Sequence, residues 1–219
     1  MGKGVTELVF ILDRSGSMSG LESDTIGGYN ELLKKQKKEI GEALITTVLF
    51  DNKYELLHDR VHIQEIEPIT KNEYFVRGTT ALLDAVGITI NNIINVHKHI
   101  PKYKRPEHVM FVITTDGMEN ASKEFGYDEI RQMIGKQKSK YDWEFIFLGA
   151  NIDAIKTAER FGICKERAVN YNADGKGTSI NYEVISETVS CIRANQSISE
   201  NWKERIEEDF KKRGNKKIK

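Results

Sequence analysis

The amino-acid sequence predicts an α/β fold: a mostly parallel central sheet with one antiparallel edge strand and helices on both faces. Three observations carry this. Residues 5–12 (VTELVFIL) and 109–114 (VMFVIT) are nearly continuous apolar runs, the pattern of strands buried on both faces. Between the runs, apolar residues recur at helical spacing, so strands and helices alternate and right-handed crossovers are implied. Residues 43–50 (ALITTVLF) and 54–57 are separated by Asp51, Asn52 and Lys53, which reads as a tight hairpin and hence one antiparallel strand.

Taken in order, the first strand breaks at Asp13. Ile26, Tyr29, Leu33, Gln36 and Ile40 then mark an amphipathic helix whose lysines lie mostly on the other side. After the hairpin and Pro68, Leu82, Leu83, Val86, Ile90, Ile93 and Ile94 trace a second long helix. The 109–114 strand leads to Asp116, and Ile130, Met133 and Ile134 mark the next helix. Residues 144–148 (EFIFL) form a fifth strand, 153–161 a helix, 167–171 a short last strand and 179–192 a further helix. Gly175, Lys176, Gly177, Thr178 and Ser179 read as a flexible loop, because position 171 is Tyr where a phosphate-binding loop needs glycine.

With 219 residues, the chain has enough length for one core and not for two full domains. Residues 1–197 are assigned to the domain and 198–219 to a charged C-terminal helix or tail, with the basic run from Lys211 to Lys219 as a solubilising end. Thirty-three Lys and Arg balance thirty-three Asp and Glu, so no overall field favours nucleic acid or an acidic membrane. No apolar run approaches the roughly 18 residues of a membrane span, and no export signal is read. Cys164 and Cys191 lack a metal or redox spacing, which suits a reducing cytoplasm. The five histidines are scattered, and His97 and His99 point apart on a helix. No serine hydrolase is indicated.

Chemistry concentrates where small oxygen-bearing side chains follow strands. Asp13, Ser15 and Ser17 alternate through one tight turn, with Gly16 between the serines. Thr115, Asp116 and Gly117 close the 109–114 strand, and residues 77–82 (RGTTAL), ahead of the second long helix, add a threonine hydroxyl. In an open α/β sheet, ligands sit beyond the carboxyl ends of strands where the chain order reverses. If the first and the 109–114 strands are neighbours, Asp13 and Asp116 share that crevice. Two carboxylates with serine and threonine hydroxyls are hard oxygen donors that suit Mg²⁺, or Mn²⁺ or another divalent ion, better than zinc or copper.

Together, the runs DRSGSM (13–18), GTTALLDA (78–85) and TDGMEN (115–120) resemble the von Willebrand factor type A domain, over roughly residues 3–196. The resemblance is nearest to small free-standing bacterial or phage members of that family. It implies a Rossmann-like sheet and a metal-ion-dependent adhesion site in which Asp13, Ser15, Ser17, Thr80 and Asp116 hold Mg²⁺, with an open position for an Asp or Glu of a partner protein. Thr80 is preferred over Thr79 because the family's Gly-Gly-Thr-Ala-Leu aligns Thr79 with a glycine. Met18, Ser19, Thr79, Met118, Glu119 and Asn120 are then expected in partner-binding loops. Asp84 is given no metal role. The expected function is a cytoplasmic, metal-dependent protein-binding module and not an enzyme. The competing reading is a metal-dependent hydrolase or phosphoryl-transfer enzyme using the same crevice. Phosphatases with an aspartate after the first strand usually carry a second acid two residues on, and here that position is Ser15.

Overall fold

The computed structural model describes residues 4–214. Six strands form one sheet in the order β3-β2-β1-β4-β5-β6. They are β1 (Val5–Asp13), β2 (Glu42–Phe50), β3 (Tyr54–His62), β4 (His108–Thr115), β5 (Glu144–Gly149) and β6 (Ala168–Asn170). All neighbours are parallel except β2 and β3, the hairpin pair. The apolar runs 5–12 and 109–114 become adjacent central strands, with Phe10 opposite Val112 and Leu12 opposite Thr114. From β1 the chain moves outward to β2 and β3, then returns to β4 on the other side of β1. That reversal opens a crevice beyond the carboxyl ends of β1 and β4.

Helices cover both faces because these strands are apolar on both. On one face α1 (Glu22–Gln36), α5 (Gly175–Arg193) and α6 (Glu204–Gly214) enclose Phe10, Leu12, Tyr29, Tyr171 and Ile185. On the other, α2 (Leu82–His99), α3 (Tyr127–Tyr141) and α4 (Ala154–Arg160) pack over Ile11, Val86, Phe111, Ile134 and Phe147. Among the described residues, no helix is long and apolar enough to cross a membrane.

Four expectations shift. The first helix ends at Gln36, and Ile40 is 94% exposed in the turn before Gly41, whose positive φ of +96° starts β2. β3 extends to His62 beyond the expected 57, past the polar residues His58, Asp59 and Arg60, where a bulge with Arg60 at a φ of +52° interrupts the alternation. The segment 175–179 is no flexible loop but the first turn of α5, capped by the Asp174 carboxylate, which accepts from the Gly177 amide at 2.9 Å. Position 177 must be glycine-sized, since a Cβ there would lie 2.0 Å from the Asn172 carbonyl oxygen. At the C-terminal end, α6 buries Ile206 in the same cluster as Tyr171, so Lys211–Gly214 belong to a packed helix and not to a solubilising end. Residues 215–219 of that basic run lie outside the described residues.

Candidate metal-binding crevice

The turn after β1 is built by Asp13, whose Oδ1 accepts from the Ser15 amide at 2.7 Å. This local bond curls the chain so that both serine hydroxyls face inward, with Ser15 Oγ and Ser17 Oγ 3.0 Å apart. The loop before α2 reaches the same point: the Gly16 amide donates to the Gly78 carbonyl at 3.1 Å, and Thr80 Oγ1 donates to Ser15 Oγ at 3.0 Å. Thr80 is buried and Thr79 exposed, so the geometry turns Thr80 to the crevice. Gly117, after β4, completes the ring. A Cβ at that position would lie 2.9 Å from Ser17 Oγ and 3.0 Å from Thr80 Oγ1, a space that the two hydroxyls need.

Asp13, Ser15, Ser17, Thr80 and Asp116 are thereby brought together at one crevice. Asp13 and Asp116 are 1% and 2% exposed. Burial raises both carboxyls above the ordinary carboxylate range. At Asp13 this is opposed by hydrogen bonds from Ser15 and Thr115 and reinforced by the charge of Asp116. At Asp116 it is opposed by Ser17 and Asn151. Asp116 Oδ2 meets Asn151 Nδ2 at 3.5 Å, the long limit of a hydrogen bond, while Oδ1 is buried with no partner among the described residues. Two buried carboxylates lie beside each other, one with an orphaned oxygen, and neither is in an ion pair with a Lys, Arg or His of the described residues.

The donor set is oxygen only. Among the described residues, no three His, Cys, Asp or Glu side chains gather into a metal-binding group. Histidines lie elsewhere: His58 bonds Thr47, His97 bonds Glu7, and His99 bonds the Asn95 carbonyl. Residues of this kind fit a hard divalent cation.

The expected partner loops divide. Ser19, Thr79 and Met118 are exposed, Met118 at 73%. Met18 is only 2% exposed and lines the same small cavity as Leu12 and Leu148, so it is a buried residue and not a contact for a partner. Glu119 is half-buried and tied to backbone amides, while Asn120 is exposed and uses only its Oδ1 for a backbone bond. Glu119 accepts from the Leu83, Ala121 and Ser122 amides, and Asn120 Oδ1 accepts from the Thr80 amide at 2.9 Å. They fasten the loop after β4 to the start of α2. Asp84 does the same from the other side, accepting from the amides of Lys123, Glu124 and Phe125.

Sequence reasoning missed Thr115, Asn151 and the charges under the turn. Thr115 Oγ1 donates to Asp13 Oδ2 at 2.6 Å; its signal was a hydroxyl at a strand end beside Asp116. Asn151, two residues past β5, follows a third carboxyl end. Asp51, read as a turn residue, is fully buried and accepts from Arg14 Nε at 3.1 Å and Arg77 Nε at 2.7 Å. Arg14 is itself fully buried and also reaches Glu55 at 2.6 Å. Its charge is therefore turned away from the crevice.

No protein-family model and no curated protein matches the chain by sequence. Solved structures do match it. Proximal thread matrix protein 1 from the mussel byssus, with a zinc-occupied MIDAS motif, superposes with a TM-score of 0.55 at 15% identity, over 86% of this chain and 46% of that one. The VWA2 paralog of ArnB from Sulfolobus acidocaldarius gives 0.52 at 19% identity, over 84% and 45%. A von Willebrand factor type A structure from Catenulispora acidiphila gives 0.55 at 10% identity, over 84% and 42%. The chain thus spans under half the length of these proteins, and what it shares with them is the fold.

Proposed function

We propose that this chain, with its von Willebrand factor type A fold, is a divalent-cation-dependent protein-binding module. Asp13, Ser15, Ser17, Thr80 and Asp116 would hold Mg²⁺ or a similar ion, and a partner protein would supply an Asp or Glu to the open position. The observation that carries this is Asp116 Oδ1, a buried carboxylate oxygen with no partner among the described residues, at a site that also gathers three hydroxyls and a second buried carboxylate. An unpaired buried charge is costly, and a divalent cation relieves it. Two carboxylates balance the ion formally, while the hydroxyls are neutral donors that leave it electrophilic toward a further anion. Hard oxygen donors favour Mg²⁺ or Mn²⁺ here over the zinc named for the byssus protein.

A binding role fits better than catalysis. Ser15 bonds Ser17 and Thr80, and among the described residues neither serine is hydrogen-bonded to an imidazole or amine that could activate it. Beside Asp116 an open cavity of about 330 Å³, lined by Ser17, Ser19, Asn151 and Asp174, leaves room for a partner loop. Exposed Ser19, Thr79 and Met118 are the side chains available for specificity.

The test is calorimetric titration of Mg²⁺, Mn²⁺ and Zn²⁺ into chelator-treated protein, with a Ser15→Ala, Ser17→Ala variant alongside. Saturable binding by the parent that the variant loses is expected. A parent that binds none of the three ions would overturn the reading. Equal binding by the variant would move the ion to other residues.

A further inference from the structure

The pole of the sheet opposite the crevice carries a second concave surface. It lies between α2 and α3 at the amino ends of β4 and β5, encloses about 310 Å³, and has an apolar floor of Ile94, Val109, Met133 and Trp143. Lys98, Arg105 and Lys136 line its rim, and Lys102, Lys104 and Lys140 are exposed in the adjoining segments. Among the described residues none of these six cations takes part in an ion pair. Nearby acids are fewer than these cations: Glu107 on the rim and Asp142 at the end of α3 are exposed, and the others are engaged elsewhere. Glu7 is buried against Arg60 and His97, Glu144 pairs with Arg167, and the rim's own Glu107 accepts from the Gly4 amide at 3.3 Å. A chain with no net charge therefore concentrates unpaired positive charge around one groove.

We infer that this groove binds an acidic peptide segment of a partner protein, seating one apolar side chain on the floor while flanking Asp or Glu residues meet Lys98, Arg105 and Lys136. Charge complementarity selects an anion, and the recessed apolar floor selects one that carries a hydrophobic anchor. Single-stranded nucleic acid would need aromatic faces open to its bases, which the groove floor does not offer; the exposed rings nearby are Tyr141 on the rim and Tyr103 in the adjoining segment. Trp143 is 5% exposed, stacked on Phe111 at 5.5 Å and edged by His97 at 5.6 Å. Lys140 lies over the Tyr141 ring. The site is independent of the metal crevice and stands or falls separately from it.

The experiment uses the full chain in chelator, so that peptide carboxylates cannot reach a metal. A labelled Glu-rich peptide with one central Leu is titrated by fluorescence polarisation, beside the same peptide with Gly for Leu and a single-stranded oligonucleotide. The Leu peptide is expected to bind at least about tenfold tighter than the Gly peptide, since burying a Leu side chain accounts for such a factor. A Lys98→Glu, Lys136→Glu variant, altered only at exposed positions, should lose a further order of magnitude while melting like the parent. The indole NMR signal of Trp143 should shift on binding and that of Trp202 should not. Equal affinity for the Gly peptide, tighter binding of the oligonucleotide, or a static Trp143 signal would each overturn the proposal.

Discussion

Thr115→Val tests how the crevice holds its first carboxylate. The Thr115 hydroxyl donates to Asp13 Oδ2 at 2.6 Å, and both residues are buried. Valine keeps the branched shape and deletes the donor. A hydrogen bond to a charged acceptor contributes about 1.5–3 kcal/mol and one to a neutral acceptor about 0.5–1.5 kcal/mol. The loss should therefore depend on whether Asp13 is ionised. In metal-free protein, urea unfolding well above the raised Asp13 pKa should show a deficit in the upper range, shrinking to the lower range in acid where Asp13 is protonated in both variants. The sign follows from linkage: losing the donor raises the folded-state pKa further, so the penalty grows with pH. Outer-shell partners of metal ligands typically contribute about 10–100-fold in affinity, and Mg²⁺ binding should weaken by that order. A deficit that is the same at both pH values would refute the argument, because Asp13 would then not be the group the hydroxyl stabilises.

Asp116→Asn removes the orphaned buried charge, so the metal-free protein should gain about 1 kcal/mol at neutral pH while divalent-ion binding is lost, measured by paired melts with and without Mg²⁺. The gain should shrink as pH falls, because burial raises the Asp116 pKa and protonation of the parent then removes the same charge. In the parent, Mg²⁺ affinity should decline on acidification at a pH above the ordinary carboxylate range, since Asp13 and Asp116 must release protons to bind it; an affinity flat through that window would contradict the raised values. Gly87→Ala should cost about 1–3 kcal/mol by overpacking, because its Cβ would stand 2.6–2.7 Å from ring atoms of Phe125; a thermal melt unchanged from the parent would show that the 118–125 loop yields freely.

Much of the fold is legible in the sequence because its strongest signals are local. Doubly buried strands read as unbroken apolar runs, and β1 and β4 needed nothing else. β3 did not, since a bulge at Asp59 and Arg60, where Arg60 takes a φ of +52°, breaks its alternation and sets His58, Asp59 and Arg60 in succession. The start of α5 was obscured by Gly175 and Gly177, glycines present for close approach to Asp24 and Asn172 and not for flexibility. At the crevice, the alternation Asp13-Ser15-Ser17 carries its own geometry through a two-residue hydrogen bond, so that turn is visible in one dimension. The roles of Thr115, Asn120 and Asp51 depend on contacts with residues far along the chain, and no spacing rule exposes those. Met18 shows the converse error: a residue inside a loop motif, judged by its neighbours, that the three-dimensional packing turns inward.

The buried Arg14–Asp51 pair has a consequence for recognition. Asp51 receives both Arg14 and Arg77, its carbonyl takes the Ala81 amide at 2.8 Å, and the Arg14 carbonyl takes the Arg77 amide at 2.9 Å. Three segments that are remote in sequence are thus clamped to one another from below. Removing Arg14 would leave buried Asp51 with Arg77 alone, and removing Asp51 would leave buried Arg14 with Glu55 alone, both part-exposed partners, so the turn, the hairpin corner and the threonine loop resist separate opening. A ligand arriving at the crevice meets hydroxyls already arranged, and the ordering entropy that usually weakens loop-built binding surfaces has been settled when the chain folds.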